Sequence, residues 1–167
     1  DYKRIIDELY SLGLYRVCLT GGDPFSKPEV WEILDYLYNK NIVFDIYTNG
    51  LSITHSVDRL RSLYPRLVGI SIYSADEIVH DKITRVNGSL KRTLQTVKDI
   101  GRYGIPMAFK CVIFKTNVKS YQTVESLAKE HGAVLQYEVN LSNGVDGDTS
   151  VVNNLRLPPE VLEIVLL

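Results

Sequence analysis

Short apolar runs alternate with segments of helical periodicity along almost the whole sequence, and the connections between them are short. The runs are Tyr15–Thr20, Ile42–Tyr47, Leu67–Tyr73, Met107–Phe114 and Val134–Val139. Ile5, Ile6, Leu9 and Leu12 are spaced for a helix that Gly13 stops. Val30, Ile33, Leu34 and Leu37 give a second helix its core face, with Ser26 as its expected cap and Pro28 in its first turn. Further helices are expected over about His55–Leu63, from a Ser89 cap to about Tyr103, over Val118–His131, and from near Pro158. The polar stretch Ser74–Gly88 reads as a long loop with one helical turn. Strands that alternate with helices in this way must run parallel and be joined by right-handed crossovers. A doubly wound sheet and a barrel both satisfy the pattern.

In either fold, ligands gather at the carboxyl ends of the strands. Those ends read Thr20-Gly21-Gly22-Asp23-Pro24, then Thr48-Asn49-Gly50, then Ser71 and Ser74, then Lys115-Thr116-Asn117, then Glu138 and Asn140. Small hydrogen-bonding residues therefore collect on one rim. Gly21-Gly22 lets backbone approach a ligand closely. Asp23 offers a carboxylate to an ammonium group, and Pro24 fixes the exit direction. Thr48 and Asn49 suit a ribose or a carboxylate. Each of these is also what an ordinary turn uses, so no single one decides. Arg85, in the loop above the rim, reads either as a clamp for a carboxylate or phosphate or as a solvated surface residue. Of the 11 tyrosines, Tyr47 and Tyr73 fall near strand ends and are expected to line a site, whereas Tyr10, Tyr36 and Tyr38 fall on helices and are expected to pack. His55, His80 and His131 share no ligand spacing and read as solvated or capping.

Composition narrows the rest. The formal net charge of -1 gives no bulk attraction to nucleic acid or an anionic membrane. No apolar run is long enough to cross a bilayer. The two cysteines, Cys18 and Cys111, sit in apolar runs, form no disulfide framework or metal spacing, and read as small core residues in a reducing, cytoplasmic compartment.

The combination of motifs resembles the radical S-adenosylmethionine (radical SAM) family. Val17–Phe25, with Gly21-Gly22-Asp23-Pro24, is similar to the Gly-Gly-Glu-Pro motif that ends the family's second strand, with Asp23 standing where Glu is usual. Ile46-Tyr47-Thr48-Asn49-Gly50 resembles its third strand, Gly69–Asp76 its fourth, and His80–Arg85 the His-Asp-x-Ile-Arg-Gly region that follows. The likeness runs to about Val139. It implies a partial (β/α)6 TIM-like barrel of parallel strands with outer helices over residues 1–140, lacking its first strand. Residues 141–167 would be an exit loop and helix start leading toward a C-terminal cysteine-rich (SPASM-like) region.

The resemblance also implies roles. Gly21, Gly22, Asp23 and Pro24 would hold the methionyl amino group of S-adenosylmethionine. Thr48 and Asn49 would lie near its sulfonium or ribose. Ser71 would meet the ribose or carboxylate, Arg85 the carboxylate, and Lys115, Thr116 and Asn117 the adenosyl end. The family's Cys-x-x-x-Cys-x-x-Cys loop, which holds a [4Fe–4S] cluster, is absent, and its cysteines are expected before Asp1. The chain starts and stops in mid-element, so residues are expected to be missing on both sides. The implied activity of the parent is reductive cleavage of S-adenosylmethionine to a 5′-deoxyadenosyl radical. The implied use is peptide or protein modification, with electrons from a flavodoxin or ferredoxin; the fragment alone is expected to be inactive. Heme or molybdopterin biosynthesis is the alternative within the family. Outside it stand a non-catalytic nucleotide-binding module and a barrel lyase acting on phosphorylated sugars.

Overall fold

The computed structural model describes residues 2–142 and 149–166. Helix α1 (Tyr2–Ser11) leads into strand β1 (Arg16–Leu19). There follow α2 (Val30–Asn39), β2 (Val43–Thr48), α3 (Val57–Ser62) and β3 (Leu67–Ser71). Next come α4 (Glu77–Thr84), α5 (Ser89–Arg102), β4 (Met107–Val112), α6 (Thr123–Glu130) and β5 (Val134–Glu138). Helices α7 (Ser150–Leu155) and α8 (Pro159–Leu166) close the described chain.

All five strands are parallel and lie in the order β1-β2-β3-β4-β5. This sequential order separates the two folds the sequence left open. A doubly wound sheet reverses direction at a switch point, whereas a barrel adds each new strand beside the last. The sheet is thus an arc of a TIM-like barrel, as expected. Among the described residues β1 pairs only with β2, so it forms one edge of the sheet.

The two faces of the arc differ. Val17, Leu19, Phe44, Ile46, Val68, Ile70, Phe109, Cys111 and Leu135 pack with Leu34 and Leu37 of α2, Leu60 of α3, Val97 and Ile100 of α5 and Val124 of α6. This outer layer is the hydrophobic core. Phe109 is fully buried in it, and truncation of such a ring costs about 3–5 kcal/mol. The alternate residues form the inner face. They include Arg16, Cys18, Asp45, Tyr47, Gly69, Ser71, Lys110, Gln136 and Glu138. At its floor Asp45 is fully buried, and its Oδ2 accepts from Arg16 and Arg66. Burial pushes the Asp45 carboxyl up, but the two guanidinium groups outweigh that and hold it below the usual carboxylate range.

Several local expectations need correction. Ser26 does not cap α2: Asp23 caps a turn of 3-10 helix, Pro24–Ser26, and the Ser26 hydroxyl donates to the Asp23 carbonyl. The stretch after β3 is a full helix, α4, because Asp76 accepts from the Ile78 and Val79 amides and nucleates it. α5 is capped not by Ser89 but by Asp81, which accepts from the Gly88 and Leu90 amides and from the Ser89 hydroxyl. α6 starts at Thr123, later than the periodicity suggested, after turns built on Asn117 and Ser120. Cys18 is exposed on the inner face of the edge strand, so only Cys111 is a core thiol. Tyr10 and Tyr38 are largely exposed. Most of the polar loop over 143–150 lies outside the described residues.

Candidate active site at the strand rim

The exits of β1 and β2 are tied together by one carboxylate. Asp23 Oδ1 accepts from the Phe25 amide at 2.9 Å. Its Oδ2 accepts from Thr48 Oγ1 at 2.7 Å and from the Asn49 amide at 2.8 Å. Asp23 therefore organises the rim rather than offering an unengaged carboxylate to a ligand. The next turn is fixed from above by α5: Thr93 Oγ1 donates to the Asn49 carbonyl at 2.9 Å and Thr96 Oγ1 to the Gly50 carbonyl at 2.7 Å.

The glycine pair stands beside this network. Gly21 has φ +122°, which disfavours any side chain. A Cβ built on Gly21 or Gly22 would meet no protein atom within 4 Å. Their bareness is therefore not demanded by packing; it leaves open space. That space is a cavity of about 310 Å³. Gly21, Gly22, Tyr47, Thr48, Asn49 and Ser71 border it, with Tyr73, His80, Thr84 and Ser89 among the other residues of the wall. Tyr47 reaches it by lying across Gly69, where a Cβ would come within 2.7 Å of the ring. A larger apolar groove of about 870 Å³ runs along the free edge, between α1, β1 and α2. It presents few polar groups beyond Asp23 and its neighbours, so the rim cavity is the better candidate for chemistry.

His80, expected to be solvated or capping, is instead buried in this wall. Its Nδ1 accepts from the Tyr73 amide at 3.3 Å. Burial pushes its pKa down, opposed by the neighbouring Asp81 carboxylate. Burial thereby favours the neutral ring, and the acceptor role of Nδ1 favours the tautomer with the proton on Nε2. The sequence signal was the His80-Asp81 pair just beyond β3.

Other expected residues fall elsewhere. Arg85 takes a left-handed conformation (φ 59°) as the C-cap of α4. It borders a separate outer cavity with Glu77, Asp81 and Lys82, and the rim cavity does not include it. Asn117 is fully buried and spends its amide on the backbone, donating to the Tyr73 and Val112 carbonyls and accepting from the Phe114 amide. Lys115 is exposed; its amide donates to the Leu155 carbonyl and its Nζ to the Asn153 carbonyl, tying β4 to α7. Ser74 is buried against Ser120. Pro24 opens the 3-10 turn and faces the edge groove.

A profile of the radical SAM superfamily matches residues 1–129. The chain belongs to the radical SAM superfamily. Among curated relatives it is 30% identical over 151 residues to the AdoMet-dependent heme synthase of Methanosarcina barkeri, covering 90% of this chain and 43% of that protein. It is 32% identical over 136 residues to mycofactocin maturase MftC of Mycobacterium tuberculosis, covering 80% and 34%. The chain thus spans less than half the length of these relatives. Among solved structures, Streptococcus suis SuiB bound to S-adenosylmethionine has the same fold, with TM-score 0.77, 17% identity, and coverage of 99% of this chain and 39% of that one. SuiB has also been solved bound to its precursor peptide SuiA.

The residues present fit one of the family's two cofactors. The rim cavity has the size of a small-molecule site, backbone bared by two glycines, and hydroxyl and amide donors around it. A [4Fe–4S] cluster needs three or four close thiolates. The sequence has two cysteines, and the described residues hold no cluster of three His, Cys, Asp or Glu side chains suited to a metal.

Proposed function

We propose that these residues form the S-adenosylmethionine-holding part of an enzyme that modifies a peptide or protein. The observation that carries the reading is the empty volume above Gly21 and Gly22, bordered by Thr48, Asn49 and Ser71. In this reading the glycine backbone receives the methionyl group. Asp23 acts at one remove, fixing Thr48 and Asn49, and the neutral His80 closes the wall. Bound beside a [4Fe–4S] cluster, S-adenosylmethionine supplies a 5′-deoxyadenosyl radical that takes hydrogen from a substrate. The cluster's thiolates would come from polypeptide outside residues 1–167, and a flavodoxin or ferredoxin would deliver the electron.

Similarity to a mycofactocin maturase, and a shared fold with an enzyme solved on its precursor peptide, support a peptide substrate. Similarity to a heme synthase over 90% of the chain supports the second reading, an enzyme of cofactor biosynthesis. The deciding assay is 5′-deoxyadenosine release under a strong reductant. It should use a longer polypeptide that carries these residues together with a three-cysteine loop. Release is expected, and Gly22→Val should reduce it at least tenfold without changing iron content. A full cluster with no deoxyadenosine would favour a non-catalytic module.

A further inference from the structure

One row of the inner face is rich in hydrogen-bond donors. Ser71, Lys110 and Gln136 are register partners on β3, β4 and β5. Neighbouring strands lie about 4.8 Å apart, so the row spans about 10 Å. Lys110 is held in place rather than waving in solvent. Its Nζ donates to Gln136 Oε1 at 2.9 Å and sits 4.2 Å from the centre of the Tyr47 ring. Its stem crosses Gly69, where a Cβ would come within 3.1 Å of Lys110 Cδ. Gln136 Oε1 is thus engaged, and its NH2 group remains to donate. The Ser71 hydroxyl has no protein partner among the described residues and borders the rim cavity.

The charge of Lys110 is not neutralised by contact. Arg16 and Arg66 share Asp45 at the floor, and Lys110 forms no ion pair among the described residues. Glu138, two residues beyond Gln136 on β5, interacts with the Lys110 ammonium through space and not as an ion pair. Its Oε1 is turned to the amides of Val139 and Asn140, at 2.9 and 2.8 Å. The inner face therefore carries Arg16, Arg66 and Lys110 against Asp45 and Glu138, an excess of one positive charge. A fixed ammonium beside an amide NH2 suits a carboxylate, which accepts only.

We propose that Lys110 and Gln136 form a receptor for a carboxylate of the substrate, next to Ser71 and the rim cavity. It would select an acidic side chain or a chain-terminal carboxylate and hold it beside the rim cavity. This deepens the proposed function and rests on it for the word substrate. The glycine pair ends β1, whereas the row lies on β3–β5. A cofactor held at Gly21–Gly22 leaves Lys110 and Gln136 for a second molecule.

The test uses the 167-residue chain, amide NMR and two probes of equal length, glutarate and neutral glutaramide. Glutarate should shift the Lys110 and Gln136 amides, and glutaramide should not. Lys110→Met should weaken glutarate at least tenfold, in line with loss of a charge-assisted hydrogen bond. Lys110→Arg should retain most of the affinity. Gln136→Glu, which sets a negative charge in the row and keeps the side-chain size, should abolish binding even if Lys110→Met proves unstable. Glutarate affinity should change less than about twofold when S-adenosylhomocysteine is already bound. Equal response to glutaramide, or no response to glutarate, overturns the receptor. Competition with S-adenosylhomocysteine overturns the assignment to substrate, because the row then takes the cofactor's own carboxylate. If S-adenosylhomocysteine shifts no rim amide, the proposed function fails while the glutarate result stands.

Discussion

Asp23→Ala is the most informative single change. It removes the one carboxylate that holds the exits of β1 and β2 together. Three donors lose their acceptor: the Phe25 amide, Thr48 Oγ1 and the Asn49 amide. A neutral hydrogen bond nets about 1 kcal/mol and one to a charged group about 1.5–3. Asp23 is half-buried, so water will serve some of the abandoned donors. The expected loss is about 2–3 kcal/mol, a rise of thirtyfold or more in the unfolded fraction. With a urea m-value of about 2 kcal/mol/M, the midpoint should fall by about 1–1.5 M. Asp23→Glu keeps the carboxylate and should cost under about 1 kcal/mol. Thr48→Val removes one partner. A double-mutant cycle with Asp23→Ala should show coupling of at least about 0.5 kcal/mol, since the two side chains share a bond. A midpoint shift below about 0.3 M for Asp23→Ala, or strict additivity with Thr48→Val, would refute the rim network.

Three further outcomes follow from titrating groups and thiols. His80 is held below its ordinary pKa by burial. The unfolded chain therefore binds the proton more readily. Stability should be full above about pH 6.5 and decline as the pH falls toward the folded-state pKa, and His80→Gln should flatten that slope in pH-dependent urea melts. Cys111 is buried with its pKa pushed up to about 12. Cys18 is exposed, but partial burial and the Asp45 carboxylate raise its pKa. Mass spectrometry after iodoacetamide at pH 8 should find slow labelling at Cys18 alone. Anaerobic iron–sulfide reconstitution of the chain should yield no broad visible absorption; a stoichiometric cluster would refute the ligand argument.

The alternation of strands and helices was legible because each parallel strand must bury its helix-facing side. Val17, Phe44, Ile46, Val68, Ile70 and Phe109 carry that signal plainly. The glycine pair and Thr48-Asn49 were legible as rim residues for the same reason: position after a strand fixes the end they occupy. What the sequence hid was which polar side chains are already engaged. Asn117 looks like a ligand group until its amide is seen bonded to three backbone groups. Asp23 and Asp81 look like open carboxylates until the amides they cap come into view. Arg85 lies one residue past α4, and the left-handed cap turns it to another cavity. Lys110 escaped notice because it sits within an apolar strand run. Only the register with Ser71 and Gln136 shows that it belongs to a polar face.

The central claim is that the rim cavity receives the adenosyl cofactor. Amide NMR of the 167-residue chain, titrated with S-adenosylhomocysteine, tests it without a cluster or turnover. The account predicts saturable shifts at Gly21, Gly22, Asn49 and Ser71, with none in the outer cavity around Arg85 and Asn87. Gly22→Val should abolish those shifts and leave the urea midpoint within about 0.5 M of wild type, because a Cβ there meets no protein atom within 4 Å. Saturable binding that Gly22→Val leaves intact, or shifts centred on Arg85, would contradict it.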